Sequence, residues 1–359
     1  MTYHTVPLVE PDTIWLTRGP FPTGTALGLH LGWFEKAFAH KGLKTSTLQD
    51  SNNAALRSQH FYHDIKTLIR EGGNILPLWR RAHNLHRTGY DNTVVVGITW
   101  VDEVQVLLAR PGLGLGGGDL TALRGKVLGL SAAVGEIDIW RAMALRGFDT
   151  ALQLAGLTQD DVIFKDIKGA HVEWQNQGRV GGTGSQATEA ALLAGEVDVI
   201  YAKGAAAILL QETHGLDVVL DINALDDPAL RTNNGTPRLI TVHKHLLSDN
   251  PDVVQCHLQV LNRTAQWSRA HGDRIPGIIA GETGTSVASV QRGYGPRLAD
   301  SFDVNLNAAR VSALQSQADF LLAHGLIEAR VDVQDWIRPE PLLAAFADPL
   351  ALDTLEDAA

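Results

Sequence analysis

Thr93 to Thr99 reads TVVVGIT, a short, β-branched and apolar run. Such a run is expected as a strand buried on both faces. Strands of that kind sit in sheets covered by helices, and the flanking sequence supplies them. On the N-terminal side, Thr13–Thr17 (TIWLT) reads as a strand closed by the turn Arg18-Gly19-Pro20-Phe21-Pro22-Thr23. Leu27, Leu31, Phe34 and Phe38 then keep helical spacing up to Gly42, and Lys44–Leu48 reads as a second strand. On the C-terminal side Val104–Ala109 reads as another strand, followed by the break Pro111–Asp119 (PGLGLGGGD).

Beyond the break the same alternation resumes. Leu120–Arg124 reads as a short helix, Lys126–Leu130 as a strand ending at Ser131, and Gly135–Phe148 and Thr150–Leu157 as helices. Val162–Ile167, Val197–Tyr201 and Val218–Ile222 read as strands, Gln175–Ser185 as a Gly-rich loop and Ala187–Ala194 as a helix. The last third is helical, including Pro251–Ala270 and Ala308–His324. The pattern predicts an α/β protein of two lobes: lobe I from residues 1–108 and 206–359, lobe II from residues 109–205, with a cleft between them.

The 359 residues are 45% hydrophobic and 19% charged, which excludes a disordered or fibrous chain. A net charge of −10 argues against nucleic acid as a partner but leaves room for a small anion held by a few cations in a cleft. Cys256 is the only cysteine, so no disulfide framework or cysteine-based zinc site is expected within one chain. No segment has the roughly 18–20 consecutive apolar residues of a membrane span, so no membrane insertion is expected. Met1–Asp12 lacks the basic and apolar regions of a leader, which predicts a cytoplasmic protein as given, or a periplasmic one if a leader has been removed.

Several motifs fail. Gly112-Leu-Gly114-Leu-Gly116-Gly-Gly118 lacks dinucleotide-binding spacing, Gly281–Ser286 lacks the phosphate-loop lysine, and neither G-x-S-x-G nor H-E-x-x-H occurs. His60 and His63, next to Asp64, could begin a metal site on one helix face, but no third ligand is identifiable; no metal and no cofactor are expected.

The stretch Ser58–Leu78 (SQHFYHDIKTLIREGGNILPL) is the richest in chemistry, and reads as a loop-and-helix region. Arg70 offers a planar fork suited to carboxylate, sulfinate or sulfonate oxygens, and His60 a further donor or a proton carrier. Gly72-Gly73 would let backbone N–H groups approach an oxyanion. Plainer roles fit the same residues: Arg70 in a surface ion pair, His60 as a satisfied buried ring, Gly72-Gly73 as a helix end. Ser131 either caps a helix or binds an anion at the cleft, and Arg18 and Thr23 flank the strand-end turn in the same two senses. Trp15, Trp33, Trp79, Trp100, Trp140 and Trp174 read as core, one or two of them lining a pocket.

These residues together resemble the periplasmic-binding-protein-like superfamily, in its nitrate/sulfonate/taurine solute-binding branch, and within it the hydroxybiphenyl sulfinate desulfinases. The resemblance covers most of the chain. It rests on Gly19-Pro20-Phe21-Pro22-Thr23, His60-Phe61, Arg70-Glu71-Gly72-Gly73 through Pro77, Val96–Thr99, Leu123–Ser131, Gly195–Tyr201 and Asp335-Trp336. It implies a two-lobed type II fold and a site in which Arg70 pairs with the anion, His60, Ser131 and the N–H groups of Gly72 and Gly73 complete its shell, Phe61 and a tryptophan meet the organic portion, and Gly19 and Thr23 lie at the cleft edge. The desulfinases open the Cys-Pro-x-Pro turn with a cysteine essential to C–S cleavage; Gly19 stands there and has no side chain to react.

Two functions follow as expectations. One is a binding protein for a small organic oxyanion, delivering a sulfonate or sulfinate to an ABC importer. The other is a cytoplasmic desulfinase-like hydrolase in which Arg70 holds the sulfinate, His60 acts as general acid and water replaces the thiol. A ligand sensor or scaffold is a third class.

Overall fold

The chain is described by a computed structural model at residues 7, 9–133, 135–169 and 185–350. The first sheet collects β1 (Thr13–Leu16), β2 (Lys44–Thr47), β3 (Leu68–Gly73) and β4 (Thr93–Thr99). The chain then leaves for a second sheet of β5 (Gln105–Ala109), β6 (Val127–Ser131), β7 (Ile163–Ile167), β8 (Val199–Lys203) and β9 (Asp217–Asp221). It returns for β10 (Arg238–His243) and the short β11 (Val304–Asn305). The strand orders are β11-β4-β10-β3-β1-β2 and β7-β6-β8-β5-β9.

β1 pairs parallel with β2 and β3, whereas β10 lies antiparallel between β3 and β4, aligning Arg238 with Gly73 on one side and Thr99 on the other. All seven residues of β4 are buried, as its uninterrupted apolar run implies. Helices Gly24–His30, Trp33–Ala39 and Pro251–Ala270 pack Leu27, Phe34, Phe38, Leu258 and Leu261 over one face of the first sheet. A second core runs from Leu78 and Ile98 through Leu107 and Leu128 to Phe148, and so joins the two sheets.

The structure is the mixed α/β fold that the alternation implied, with differences of detail. The second sheet begins at Gln105 and ends at Asp221, so it runs past the expected segment 109–205 at both ends, taking in all of β9 and all of β5 but Ala109. An apolar strand next to a boundary carries no mark of which sheet it will join. Ser58–Leu78 was expected without a strand, yet β3 lies inside the first sheet. Its centre holds the ionisable pair Arg70 and Glu71, both 1% exposed, which hides the strand from a hydrophobicity pattern. The helix expected through Phe38 breaks at Gly32, whose φ of 69° only glycine adopts freely. The two helices expected between Gly135 and Leu157 are one, Ile139–Ala155. Trp174 and the loop expected from Gln175 lie outside the described residues, apart from Ser185. No described helix is long and apolar enough to cross a membrane.

Candidate functional site

The site begins with the alternation of β3. Glu71 points to one side of the strand, where its carboxylate accepts from the Thr25 N–H (2.8 Å) at the start of helix Gly24–His30 and from Thr99 Oγ1 (3.2 Å). Arg70 therefore points to the other side, toward the second sheet. Its Nε donates to the His60 carbonyl (2.9 Å) and its Nη2 to the Gly73 carbonyl (3.2 Å). Among the described residues Nη1 has no hydrogen-bond partner, and no carboxylate forms an ion pair with the guanidinium. Burial pulls the Arg70 pKa down to about 9, so it is still a cation at neutral pH.

His60 stands on the turn Gln59–Tyr62, with its Nε2 3.4 Å from Arg70 Nη2. A guanidinium only donates, so Nε2 is the bare nitrogen and Nδ1 carries the hydrogen; Nδ1 has no partner among the described residues. Burial, then the Arg70 charge, hold His60 well below the usual imidazole range, and the ring is neutral. His63 ends this turn in the left-handed region (φ 52°) and fastens it to the sheet, contacting the Leu68 carbonyl at 3.0 Å and Thr241 Oγ1 at 3.3 Å. The two rings thus serve separate ends of one turn, and no group of three metal-ligating side chains exists among the described residues.

These groups face a cavity of about 220 Å³ between the two sheets. The first sheet and its loops contribute Phe21, His60, Arg70, Gly73 and Asn234; the second contributes Ile139, Trp140, Met143, Lys203 and Gly204, with Glu103 from the crossing between them. Three helices begin at its wall, Ile75–Thr88, Ile139–Ala155 and Gly204–His214, each presenting the positive end of its dipole. The lining is thus apolar with a few charged groups, which suits a small organic anion.

Of the residues singled out in the sequence, His60, Arg70, Gly73 and Trp140 line the cavity together, whereas Gly19, Thr23, Phe61, Gly72 and Ser131 are not among its lining. Gly72 lies behind Arg70 and His60, where a Cβ would touch Arg70 Nη2 and His60 Cε1 at 3.4 Å, an ordinary contact distance. Phe61 sets its ring edge-on to His60 at a 6.0 Å centroid distance and packs on the core. Thr23 caps helix Gly24–His30, accepting the Ala26 N–H at 3.0 Å. Ser131 is not a helix cap; its Oγ donates to Asp138 (2.8 Å), and Asp138 caps Ile139–Ala155. Gly19 is not among the lining, and the Phe21 ring fills the space that a side chain there would take, 2.3 Å from where a Cβ would be. Arg18 is spent on a bidentate pair with Glu282 at 2.8 and 2.5 Å. Cys256 is buried in helix Pro251–Ala270, its thiol pushed up by burial to about 11, far from a nucleophile's range.

Sequence reasoning missed Glu103, Lys203 and Asn234. The one available signal was position: Lys203 ends β8 and Glu103 precedes β5, and such strand ends face a cleft. Asn234 is recognisable only in three dimensions. Its Oδ1 accepts from the Ile75 N–H (2.9 Å) and sits where a side chain on Gly73 would be.

No family model matches the chain. A 2'-hydroxybiphenyl-2-sulfinate desulfinase of Rhodococcus erythropolis is 25% identical over 361 residues, covering 92% of each chain. The crystal structure of a cysteine-to-serine variant of the desulfurization enzyme DszB, in complex with biphenyl-2-sulfinic acid, superposes with a TM-score of 0.74 at 23% identity, over 93% of this chain and 99% of that one. The fold is periplasmic-binding-protein-like. The periplasmic aliphatic sulphonate binding protein SsuA of Escherichia coli shares this periplasmic-binding-protein-like fold, with a TM-score of 0.65 at 16% identity over 92% and 93% of the two chains. The cavity lies where that fold divides, between its two sheets.

Proposed function

We propose that the cavity binds a small organic oxyanion of the sulfonate or sulfinate type, with Arg70 as its counter-ion. The observation that carries this reading is a buried guanidinium that, among the described residues, has one nitrogen unpartnered and no carboxylate in an ion pair with it, at the wall of a cavity. A buried charge without a partner is costly, and a guest anion removes that cost. The neutral His60, which lines the cavity beside Arg70, adds a second polar group to the shell around the oxygen atoms. Phe21, Leu76, Ile139, Trp140 and Met143 supply an apolar wall for the carbon portion. An apolar cavity of roughly 150 Å³ holds a benzene ring, so about 220 Å³ suits one ring or a short chain with its oxyanion head. The corresponding role is that of a solute receptor handing such an anion to an ABC importer.

The sequence likeness to a desulfinase over 92% of each chain favours a second reading, cleavage of an aryl sulfinate. Against it stand Gly19 in place of the cysteine and a His60 too easily deprotonated to serve as the acid expected from its sequence. One set of measurements separates the two. Benzenesulfonate and benzenesulfinate should raise the melting temperature of the wild-type protein by mass action, and Arg70→Ala should abolish the shift. A full shift in Arg70→Ala overturns the anion site. Sulfite released from benzenesulfinate, and lost in His60→Ala, replaces binding by catalysis.

A further inference from the structure

A second charged group occupies the wall of the same cavity. Glu103 is buried, and its Oε1 takes the Lys203 ammonium at 2.6 Å while Oε2 lies 3.5 Å from Arg238 Nη2. Burial pushes the Glu103 carboxyl up, but Lys203 and Arg238 together outweigh it and hold it ionised. The carboxylate fits because position 235 is glycine: a Cβ there would lie 1.9 Å from Glu103 Oε1. Arg238 lies over the Phe21 ring at 5.0 Å, and neither its Nε nor its Nη2 has a hydrogen-bond partner among the described residues.

The charges at this second group do not cancel. Lys203 and Arg238 give +2 and Glu103 gives −1, a sum of +1 among the described residues. Lys203 also precedes the first turn of helix Gly204–His214, whose dipole adds to the same sign. Tyr294 lines this corner with a phenol kept protonated by burial, so it adds no negative charge. Arg70 contributes a separate +1, and His60 is neutral. The rest of the lining is mostly apolar, with Phe21, Leu76, Ile139, Trp140 and Met143 alongside the neutral Asn234, Thr283 and Thr285.

We infer that the guest is doubly anionic, with one oxyanion on Arg70 and a second acidic group, a carboxylate or another sulfo group, held by Lys203 beside Glu103 and Arg238. Lys203 is then the residue that sets specificity between singly and doubly acidic guests. Glu103 positions it, spending one of its three N–H donors and leaving the others for the guest. This inference rests on the anion site proposed for Arg70 and adds the second contact.

Titration calorimetry of the full chain with four probes tests it: benzenesulfonate, 3- and 4-sulfobenzoate, 4-sulfobenzamide and 4-hydroxybenzenesulfonate. At least one sulfobenzoate should bind ten or more times tighter than benzenesulfonate, and the amide, of the same shape without the charge, should lose that gain. Lys203→Met should remove the gain. The amide comparison uses only wild-type protein, so it stands even if Lys203→Met folds poorly. Equal affinity for sulfobenzoate and benzenesulfonate, a gain that survives Lys203→Met, or a gain given by the hydroxyl probe instead of the carboxylates overturns the doubly anionic guest. If benzenesulfonate itself binds in those cases, the Arg70 site stands alone; if no probe binds, both fail.

Discussion

At position 19 the backbone runs so close to Phe21 that a Cβ would sit 2.3 Å from Cε1 and 2.4 Å from Cζ of its ring. Restoring the desulfinase cysteine is therefore not a free change: the ring must turn out of the way, and it is also the ring against which Arg238 rests. Gly19→Cys alone should lower the melting temperature. In a double-mutant cycle with Phe21→Ala the two changes should couple, the pair being less destabilised than the sum of the singles by on the order of 1 kcal/mol. Additive melting shifts would show that Phe21 yields without strain. The same cycle assayed for sulfite release shows whether the vacated corner accepts a working thiol.

Helix Ile139–Ala155 carries Ile139, Trp140 and Met143 into the cavity, and one residue sets its start. Asp138 accepts from the Arg141 N–H (2.9 Å), the Ala133 N–H (2.7 Å) and Ser131 Oγ (2.8 Å), joining the end of β6 to the helix cap. Asp138→Ala should cost roughly 0.5–2 kcal/mol, the usual worth of a cap, and should also weaken guest binding by loosening the apolar wall. Ser131→Ala removes a single donor to Asp138 and should leave guest affinity nearly intact; a large loss would restore Ser131 as a direct ligand. Thermal melts and calorimetry on the two variants decide this. Elements of this kind were legible when their pattern was simple. β4 and the helix Pro251–Ala270 begin and end at the residues that their apolar spacing indicated. β3 was not, because Arg70 and Glu71 look like surface residues until their buried partners are known. The site was readable in the same uneven way. His60, Arg70 and Gly73 share one stretch of sequence, whereas Glu103, Lys203 and Asn234 come from three distant stretches that only the paired sheets bring together.

Across the whole molecule, several histidines are buried without charge. Burial, the largest cause in each, lowers His63 to about 3, His257 to about 3 and His243 to about 4, and His60 is lowered as well. The unfolded chain takes up protons near pH 6.5 that the folded chain refuses. Their contribution to stability is therefore complete above about pH 6.5 and is lost as pH falls toward the folded values, by up to about 1.4 kcal/mol per pH unit for each ring. The melting temperature should drop steadily from pH 7 to pH 5. His257 offers the cleanest check: it stacks on Phe34 at 4.8 Å, and neither ring nitrogen has a partner among the described residues. His257→Phe should raise stability by roughly 1–3 kcal/mol through removal of unsatisfied polar atoms, and by more at pH 5 than at pH 7. An equal gain at both would remove His257 from the acid response.

The chain passes between the sheets twice, at residues 100–104 and 222–237. On the second passage Asn233 donates to the Met143 carbonyl (3.1 Å) and to Tyr201 Oη (3.3 Å), while its own carbonyl accepts from Asn74 Nδ2 (2.7 Å). One asparagine thus ties helix Ile139–Ala155 and β8 on the second sheet's side to the start of helix Ile75–Thr88. Asn233→Ala should therefore loosen both halves at once and lower the melting temperature of the whole chain; an unchanged melt would show that this amide carries no such strain.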